Sequence, residues 1–266
     1  MIAKAKAVKG SKAGARYKEL EEKDSLFLFQ NDMIGENWKE RYEELRATAD
    51  LYTGSRLEKP FIENVISPSK EVGSFITEEG LRELAQNYAD KMGYSDNKWY
   101  AIAHRNTDDI HIHMIVCRVN MRGVCSIENY KIGERSGQVA TKIAKEKGWR
   151  TAQEISSEKK KNIEQSLLSC IRESDDWEKV KRKMMERDYH LELSYKSDGS
   201  LNGARIIPIS ELGHNGSESE IEKISKKGYK LSEINRKLKI LDLDKHLKLN
   251  RLNVETNEER TIRMRR

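Results

Sequence analysis

The 266-residue sequence predicts an α+β protein. Two observations carry that class. Runs with strand character, at 1–8, 61–67, 98–104 and 110–120, are interspersed with segments whose apolar residues recur at helical spacing. The runs 98–104 and 110–120 are also joined by a short polar linker, Arg105 to Asp109, which suits an antiparallel hairpin.

Met1 to Val8 alternates small apolar residues with lysine, the pattern of a half-buried strand. After the loop Lys9-Gly10-Ser11-Lys12, a helix is expected over 13–23, followed by a short apolar segment, 25–30. Asn37 is placed to cap a helix carrying Trp38, Tyr42 and Leu45, with Glu40 at the capping-box position. The strand 61–67 is stopped by Pro68. Thr77 then caps a helix with Leu81, Leu84, Ala85 and Tyr88 on one face, which Gly93 ends. The hairpin follows, and a helix over 134–147 closes this part.

Composition shifts between Gly148 and Lys161. Helices are expected over 158–172 and 175–187, the second with the stripe Trp177, Val180 and Met184. Strands are expected over 190–195 and 204–209, around the turn Ser197-Asp198-Gly199. A polar linker, 213–219, leads to a charged helical segment, 220–251, interrupted near Gly228.

Charged residues make up 35% and hydrophobic residues 36% of the chain, a soluble, globular composition. No apolar run approaches the roughly 18 to 20 residues of a bilayer span, and the basic N-terminus lacks the apolar stretch of a secretory signal. A cytoplasmic protein is expected. Three cysteines, Cys117, Cys125 and Cys170, form no Cys-x-x-Cys pair, which argues against a disulfide framework or a thiolate zinc site. The net charge of +6 is compatible with a polyanionic partner. Its distribution says more: Lys4, Lys6, Lys9, Lys12, Arg16 and Lys18 crowd the first eighteen residues without an acid. Such clustering favours phosphate contact.

Half of the six histidines fall in one window, His104 to His113. Residues two apart on a strand share a face, so His111 and His113 project together while Ile112 turns into the core. The hairpin returns His104 beside them. Imidazole nitrogen suits transition metals, and a three-ligand site leaves positions for water or a phosphate oxygen. Three adjacent unliganded imidazoles would instead repel one another on protonation. His190, His214 and His246 are isolated.

The segment Tyr100-Ala-Ile-Ala-His104 through His113-Met-Ile-Val116 resembles the third motif of plasmid and transposon mobilisation relaxases, members of the histidine–hydrophobe–histidine (HUH) endonuclease superfamily. Asn106 stands where that motif commonly has Asp, and Ile110 where it commonly has Pro. The resemblance implies a nucleophilic tyrosine near the N-terminus, after a strand and a Gly/Ser/Lys-rich loop. Lys9-Gly-Ser-Lys-Ala-Gly-Ala-Arg-Tyr17 supplies it. The basic setting fits, because the phenol must lose its proton and nearby cations favour phenolate. Tyr130, downstream of the histidines, is the rival, since replication initiators and small single-strand transposases of the superfamily carry their tyrosine on that side. A second relaxase element is a strand before a Ser/Pro turn, here Phe61-Ile-Glu63-Asn-Val-Ile-Ser67-Pro68. It makes Glu63 the candidate to take the tyrosine proton or orient a ligand, with a surface-facing glutamate on an edge strand as the alternative.

What the resemblance implies is a central antiparallel sheet with helices on one face, the palm-like fold of the superfamily, followed by a helix–hairpin region and a helical tail. The expected division is 1–155 for the nuclease domain, 156–215 for an accessory helix–hairpin region and 216–266 for a basic helical tail. The resemblance covers Met1 to about Trp149. Asp176-Trp177 and Gly203-Ala-Arg-Ile-Ile207 bear a looser similarity to accessory regions of such relaxases.

The implied function is strand-specific nicking of single-stranded or cruciform DNA at a transfer origin, through a 5′-phosphotyrosyl link and with later rejoining. The implied metal is Mg²⁺ or Mn²⁺; three imidazoles would also accept Zn²⁺, Ni²⁺ or Co²⁺. Expected DNA contacts are Lys4, Lys9, Lys12, Arg16, Lys18 and Arg105. Accessory mobilisation and coupling proteins in a bacterial cytoplasm are implied partners. Two other readings stay open: a metal-dependent nuclease using bound water, and a non-catalytic DNA-binding mobilisation accessory.

Overall fold

The computed structural model describes residues 1–19, 24–105, 110–211 and 228–264. The chain divides into two compact units, Met1–Glu154 and Ile155–Arg266.

The first unit is built on a five-stranded antiparallel sheet in the order β1-β3-β5-β4-β2. The strands are β1 (Ile2–Val8), β2 (Ser25–Asn31), β3 (Phe61–Ser67), β4 (Trp99–His104) and β5 (His111–Cys117). Alternation along them assigns two faces. Ala3, Ile62, Ile66, Trp99, Ala101, Ala103, Ile112, Met114 and Val116 point to one face. There they pack beneath α4 (Glu78–Met92) and α5 (Ile132–Glu146). Phe61, Tyr100, Ile102, Ile115 and Cys117 point to the other and meet Leu45 and Ala49 of α2 (Trp38–Asp50). Helices therefore cover both faces, not the one expected. The cause is legible in α2, whose Leu45 and Ala49 lie one turn apart and make an apolar stripe.

Local signals explain the helix ends. The Asn37 side chain accepts from Lys39 and Glu40 N–H. The Thr77 hydroxyl accepts from Gly80 N–H, and Gly93, at φ 76°, ends α4 in the left-handed conformation. The segment 25–30, seen in the sequence only as apolar, is the edge strand β2, whose pairing with β4 shifts register between Phe27 and Phe29. A short helix, α3 (Lys70–Gly73), follows the Ser67-Pro68 turn. The helix expected over 13–23 is α1 (Lys12–Lys18), shorter than foreseen; residues 20–23 lie outside the described ones. The strand expected over 110–120 ends at Cys117, and Val119 makes only an isolated bridge to Cys125.

One buried polar cluster ties the α4–α5 layer to the sheet. Asn64 is fully buried. Its Nδ2 donates to the Met114 carbonyl at 3.3 Å, and its Oδ1 accepts from the Tyr88 and Tyr94 hydroxyls at 3.1 and 3.2 Å. Burial pushes the Tyr88 phenol up to about 12, so it stays a donor at any ordinary pH.

The second unit contains α6 (Ala152–Arg172) from Ile155 onward, α7 (Trp177–Met185) and a three-stranded sheet in the order β6-β7-β8. Its strands are β6 (Tyr189–Tyr195), β7 (Leu201–Pro208) and β8 (Tyr229–Lys230). Two helices follow, α8 (Leu231–Ile234) and α9 (Ile240–Met264). Strand β8 lies where a helix was expected, next to the predicted break at Gly228, whose own position close against Ile206 and Ile207 leaves no room for a side chain. The expected linker 213–219 and the start of the helical tail lie outside the described residues. Among the described residues no helix is long and apolar enough to cross a membrane.

Candidate metal centre and tyrosine helix

The register between β4 and β5 sets His104 directly opposite His111, and His113 opposite Ile102. All three imidazoles stand on the α2 side of the sheet. Their ring centroids lie 4.5 Å (His104–His113), 4.9 Å (His111–His113) and 5.2 Å (His104–His111) apart. One ring nitrogen from each falls within 4.8 Å of the others. Among the described residues this is the one such cluster of potential ligands.

The donor set fits a metal ion. His113 is held neutral, its pKa pushed down to about 3 by burial and then by the nearby His104, His111 and Lys18. Its Nδ1 is buried with no hydrogen-bond partner among the described residues. A buried imidazole nitrogen left unbonded is costly unless something accepts its lone pair. His104, only 3% exposed, has its Nε2 2.7 Å from the Lys18 carbonyl oxygen, which accepts its proton. That bond makes Nδ1 the ring nitrogen that can act as a ligand and fixes the ring, as backbone carbonyls do at histidine metal sites.

Lys18 ends α1, the helix that carries Tyr17. Ser11 caps this helix through a 3.0 Å bond to Gly14 N–H. At its far end the Lys18 ammonium meets Glu63 Oε1 at 2.7 Å and the Gly14 carbonyl at 3.1 Å. One residue on, Glu19 takes both Nε and a terminal nitrogen of the buried Arg41 on α2, at 3.1 and 2.5 Å. A seven-residue helix is too short to persist by propensity alone, and these bonds are what hold it. Tyr17 is 55% exposed on this fixed helix.

Glu63 lies on β3, opposite Lys6 of β1 and Ile115 of β5, on the same face as the histidines. Its second oxygen pairs with Lys6 at 2.9 Å. Burial pushes its carboxyl up, but hydrogen bonds from Lys18 and Lys6 outweigh that and hold it below the ordinary carboxylate range. A carboxylate so engaged is a weak proton acceptor. The edge-strand alternative does not describe it, because β3 lies between β1 and β5.

Of the other sequence candidates, Lys4, Lys9, Lys12 and Arg16 are exposed. Arg105, also exposed, lies 3.8 Å from Glu78. Lys18 differs, with its side chain only 13% exposed. Tyr130 stands two residues before α5, which packs on the opposite face of the sheet from the histidines. Asn106 lies outside the described residues, as does His214. Sequence reasoning missed Lys18 as an anchor: its carbonyl contact is a backbone property that no side-chain pattern announces. The Lys6–Glu63 pair, by contrast, carried a signal, a lysine on β1 and a lone acid on an apolar strand.

The family described as "Relaxase: MobA/VirD2-like, nuclease domain" matches residues 15–149. No curated protein matches the chain. Two solved structures are similar to it, both of the conjugative relaxase TrwC in complex with oriT DNA. The metal-bound structure has 10% identity and a TM-score of 0.34, covering 96% of this chain and 99% of the other. The metal-free structure has 10% identity and a TM-score of 0.35 over the same shares. With a family match that takes in half the chain, including Tyr17 and all three histidines, this protein belongs to the MobA/VirD2-like relaxases through their nuclease domain.

Proposed function

We propose that this relaxase cuts one strand of DNA at a transfer origin by transesterification through Tyr17, for conjugative mobilisation. The observation that carries the reading is the bond from His104 to Lys18, which fastens the tyrosine helix to the histidine cluster. The Tyr17 oxygen attacks the scissile phosphorus. The bond from phosphorus to the 3′ oxygen breaks, and that oxygen leaves as a hydroxyl after taking up a proton. The strand keeps its phosphodiester energy in a 5′-phosphotyrosyl link, so rejoining by the 3′-hydroxyl needs no nucleotide cofactor.

His104, His111 and His113 would hold a divalent cation, and when bound it supplies positive charge to a non-bridging phosphate oxygen. Glu63 serves as a positioning residue, fixing Lys18 and with it the end of α1, in place of the proton-acceptor role the sequence suggested. Lys4, Lys9, Lys12, Arg16 and Arg105 contact the phosphates of the strand. The position of α5 behind the sheet favours Tyr17 over Tyr130.

The test is a labelled single-stranded oligonucleotide spanning the origin, incubated with protein and Mn²⁺ and run on a denaturing gel. The expected product is a covalent protein–DNA adduct that a Tyr17→Phe variant does not form. Free nicked strand without adduct would mean hydrolysis by bound water, and intact DNA a binding protein only.

A further inference from the structure

The second unit has a cavity of its own, of about 570 Å³, which the nicking chemistry does not use. It lies where β6 and β7 meet the segment 230–240. Alternation sends Leu191, Ala204 and Ile206 into the core of this unit and leaves Ser194, Gly203 and Arg205 on the other face of the sheet. The register sets Ser194 against Gly203, and Arg205 against Lys230. These four line the cavity together with Lys239, and its one acid is Glu192.

Charge and side-chain type say what fits there. The segment 230–239 holds four cations, Lys230, Arg236, Lys237 and Lys239, against a single acid, Glu233. The Glu233 carboxylate already accepts the Lys230 backbone N–H at 2.8 Å. Elsewhere in the unit, lysines are neutralised by a neighbour: Lys181 meets Glu178, and Lys248 meets Asp244, each at 2.8 Å. Lys230 and Lys239 are exposed, and among the described residues neither meets a carboxylate. Clustered cations without acids favour a polyanion. No aromatic side chain is among the described residues that line the cavity, so it offers bases no stacking platform. Cations, the Ser194 and Ser232 hydroxyls and the Asn202 amide are instead the groups that contact phosphate oxygens.

We infer that this cavity and the basic segment beside it bind the phosphates of single-stranded DNA without regard to sequence, a second grip on the strand that lies wholly in the second unit. The inference rests on reading the chain as an enzyme of DNA strands, and not on which group cuts them.

The experiment measures anisotropy of a fluorescein-labelled polythymidine strand against the full chain over a range of salt concentrations. Lys230→Gln with Lys239→Gln is expected to lower the slope of log affinity against log salt by about 1.4, two contacts at about 0.7 each. Lys181→Gln with Lys248→Gln removes the same charge from the same unit and is expected to leave the slope unchanged. An unchanged slope in the first pair, or an equal fall in the second, overturns the site.

Gly203 allows a second test inside the cavity. A Cβ there meets only the Ser194 hydroxyl, at 3.3 Å, and that side chain can rotate aside. Gly203→Glu and Gly203→Gln therefore add side chains of one shape and different charge. The Glu variant is expected to bind the strand more weakly than the Gln variant at low salt and equally at high salt, where the charge is screened. Equal binding at low salt overturns the proposal. Should the variants fail to fold, hydrogen exchange of the wild-type chain decides: the strand slows exchange in 230–240 if the site is real, and unchanged exchange overturns it. Polyglutamate that shows the two-lysine effect where polythymidine does not would make the surface one for acidic protein and also overturn it. Adduct formation at Tyr17 is scored separately. A lowered slope without adduct sinks the tyrosine chemistry alone, and adduct with an unchanged slope sinks the second grip alone.

Discussion

The backbone oxygen of Lys18 accepts the His104 Nε2 proton at 2.7 Å, while the Lys18 side chain reaches Glu63 at 2.7 Å. One residue thus joins the end of the tyrosine helix to the metal-ligand cluster and to β3. Glu63→Gln keeps the shape but loses the charge. Hydrogen bonds to charged groups contribute about 1.5–3 kcal/mol each, so urea unfolding should show a loss of that order. The rate of adduct formation should fall while Mn²⁺ affinity stays within a few-fold, since no ligand is touched. An unchanged rate would remove Glu63 from the mechanism.

The same pair sets an acid limit. The Glu63 carboxyl titrates below its ordinary value of 4.5 in the folded chain. Its contribution to stability is therefore fully present above the unfolded value and is lost as pH falls through the lower, folded one. The stability gap between wild type and Glu63→Gln should be constant from pH 7 to about 5 and close on further acidification. A gap that persists at pH 2 would contradict the ion-pair account.

Metal removal separates binding from chemistry. Chelation should abolish adduct formation and leave single-strand binding nearly intact, with activity restored by Mn²⁺. His113→Ala should weaken Mn²⁺ binding in calorimetry by more than the 10- to 100-fold that loss of a supporting outer partner costs. It should leave far-UV circular dichroism unchanged.

The exposed cations predict a salt signature. Each phosphate contact to single-stranded DNA contributes about 0.7 to the slope of log affinity against log salt. Lys4→Ala and Arg16→Ala should each lower that slope by roughly this amount, equally for all sequences. A sequence-dependent loss would place these residues against bases.

Asn64 is the expensive residue of the first unit. Asn64→Ala strands the Tyr94 hydroxyl in the core, while the Tyr88 hydroxyl keeps Ser136 Oγ at 2.8 Å, and a buried orphan costs about 1–3 kcal/mol. Thermal unfolding should show a loss larger than for any exposed lysine substitution, without a change in the intrinsic affinity for metal.

What was legible in the sequence was what depends on short-range pattern. The period of two around Ile112 put His111 and His113 on one face, and the short linker brought back His104. Thr77, Gly93 and the Leu81–Tyr88 stripe marked α4 almost to the residue. What was not legible depends on partners distant in the chain. Strand β2 is defined by pairing with β4 across a register shift, and β8 by two residues paired with β7. Asn64 looked like one more strand residue until α4 and the Tyr94 turn delivered two phenols to it. The Lys18 contact is made by a peptide oxygen, which every residue has. The second helical layer was missed because the apolar stripe of α2 says that it packs, and not on which side of the sheet.

The most direct test of the account is to digest the trapped adduct and sequence the DNA-bearing peptide by mass spectrometry. The account predicts a nucleotide mass on Tyr17, in the peptide that begins after Arg16. Modification of Tyr130 would contradict it, as would a nicked strand with no nucleotide on any tyrosine.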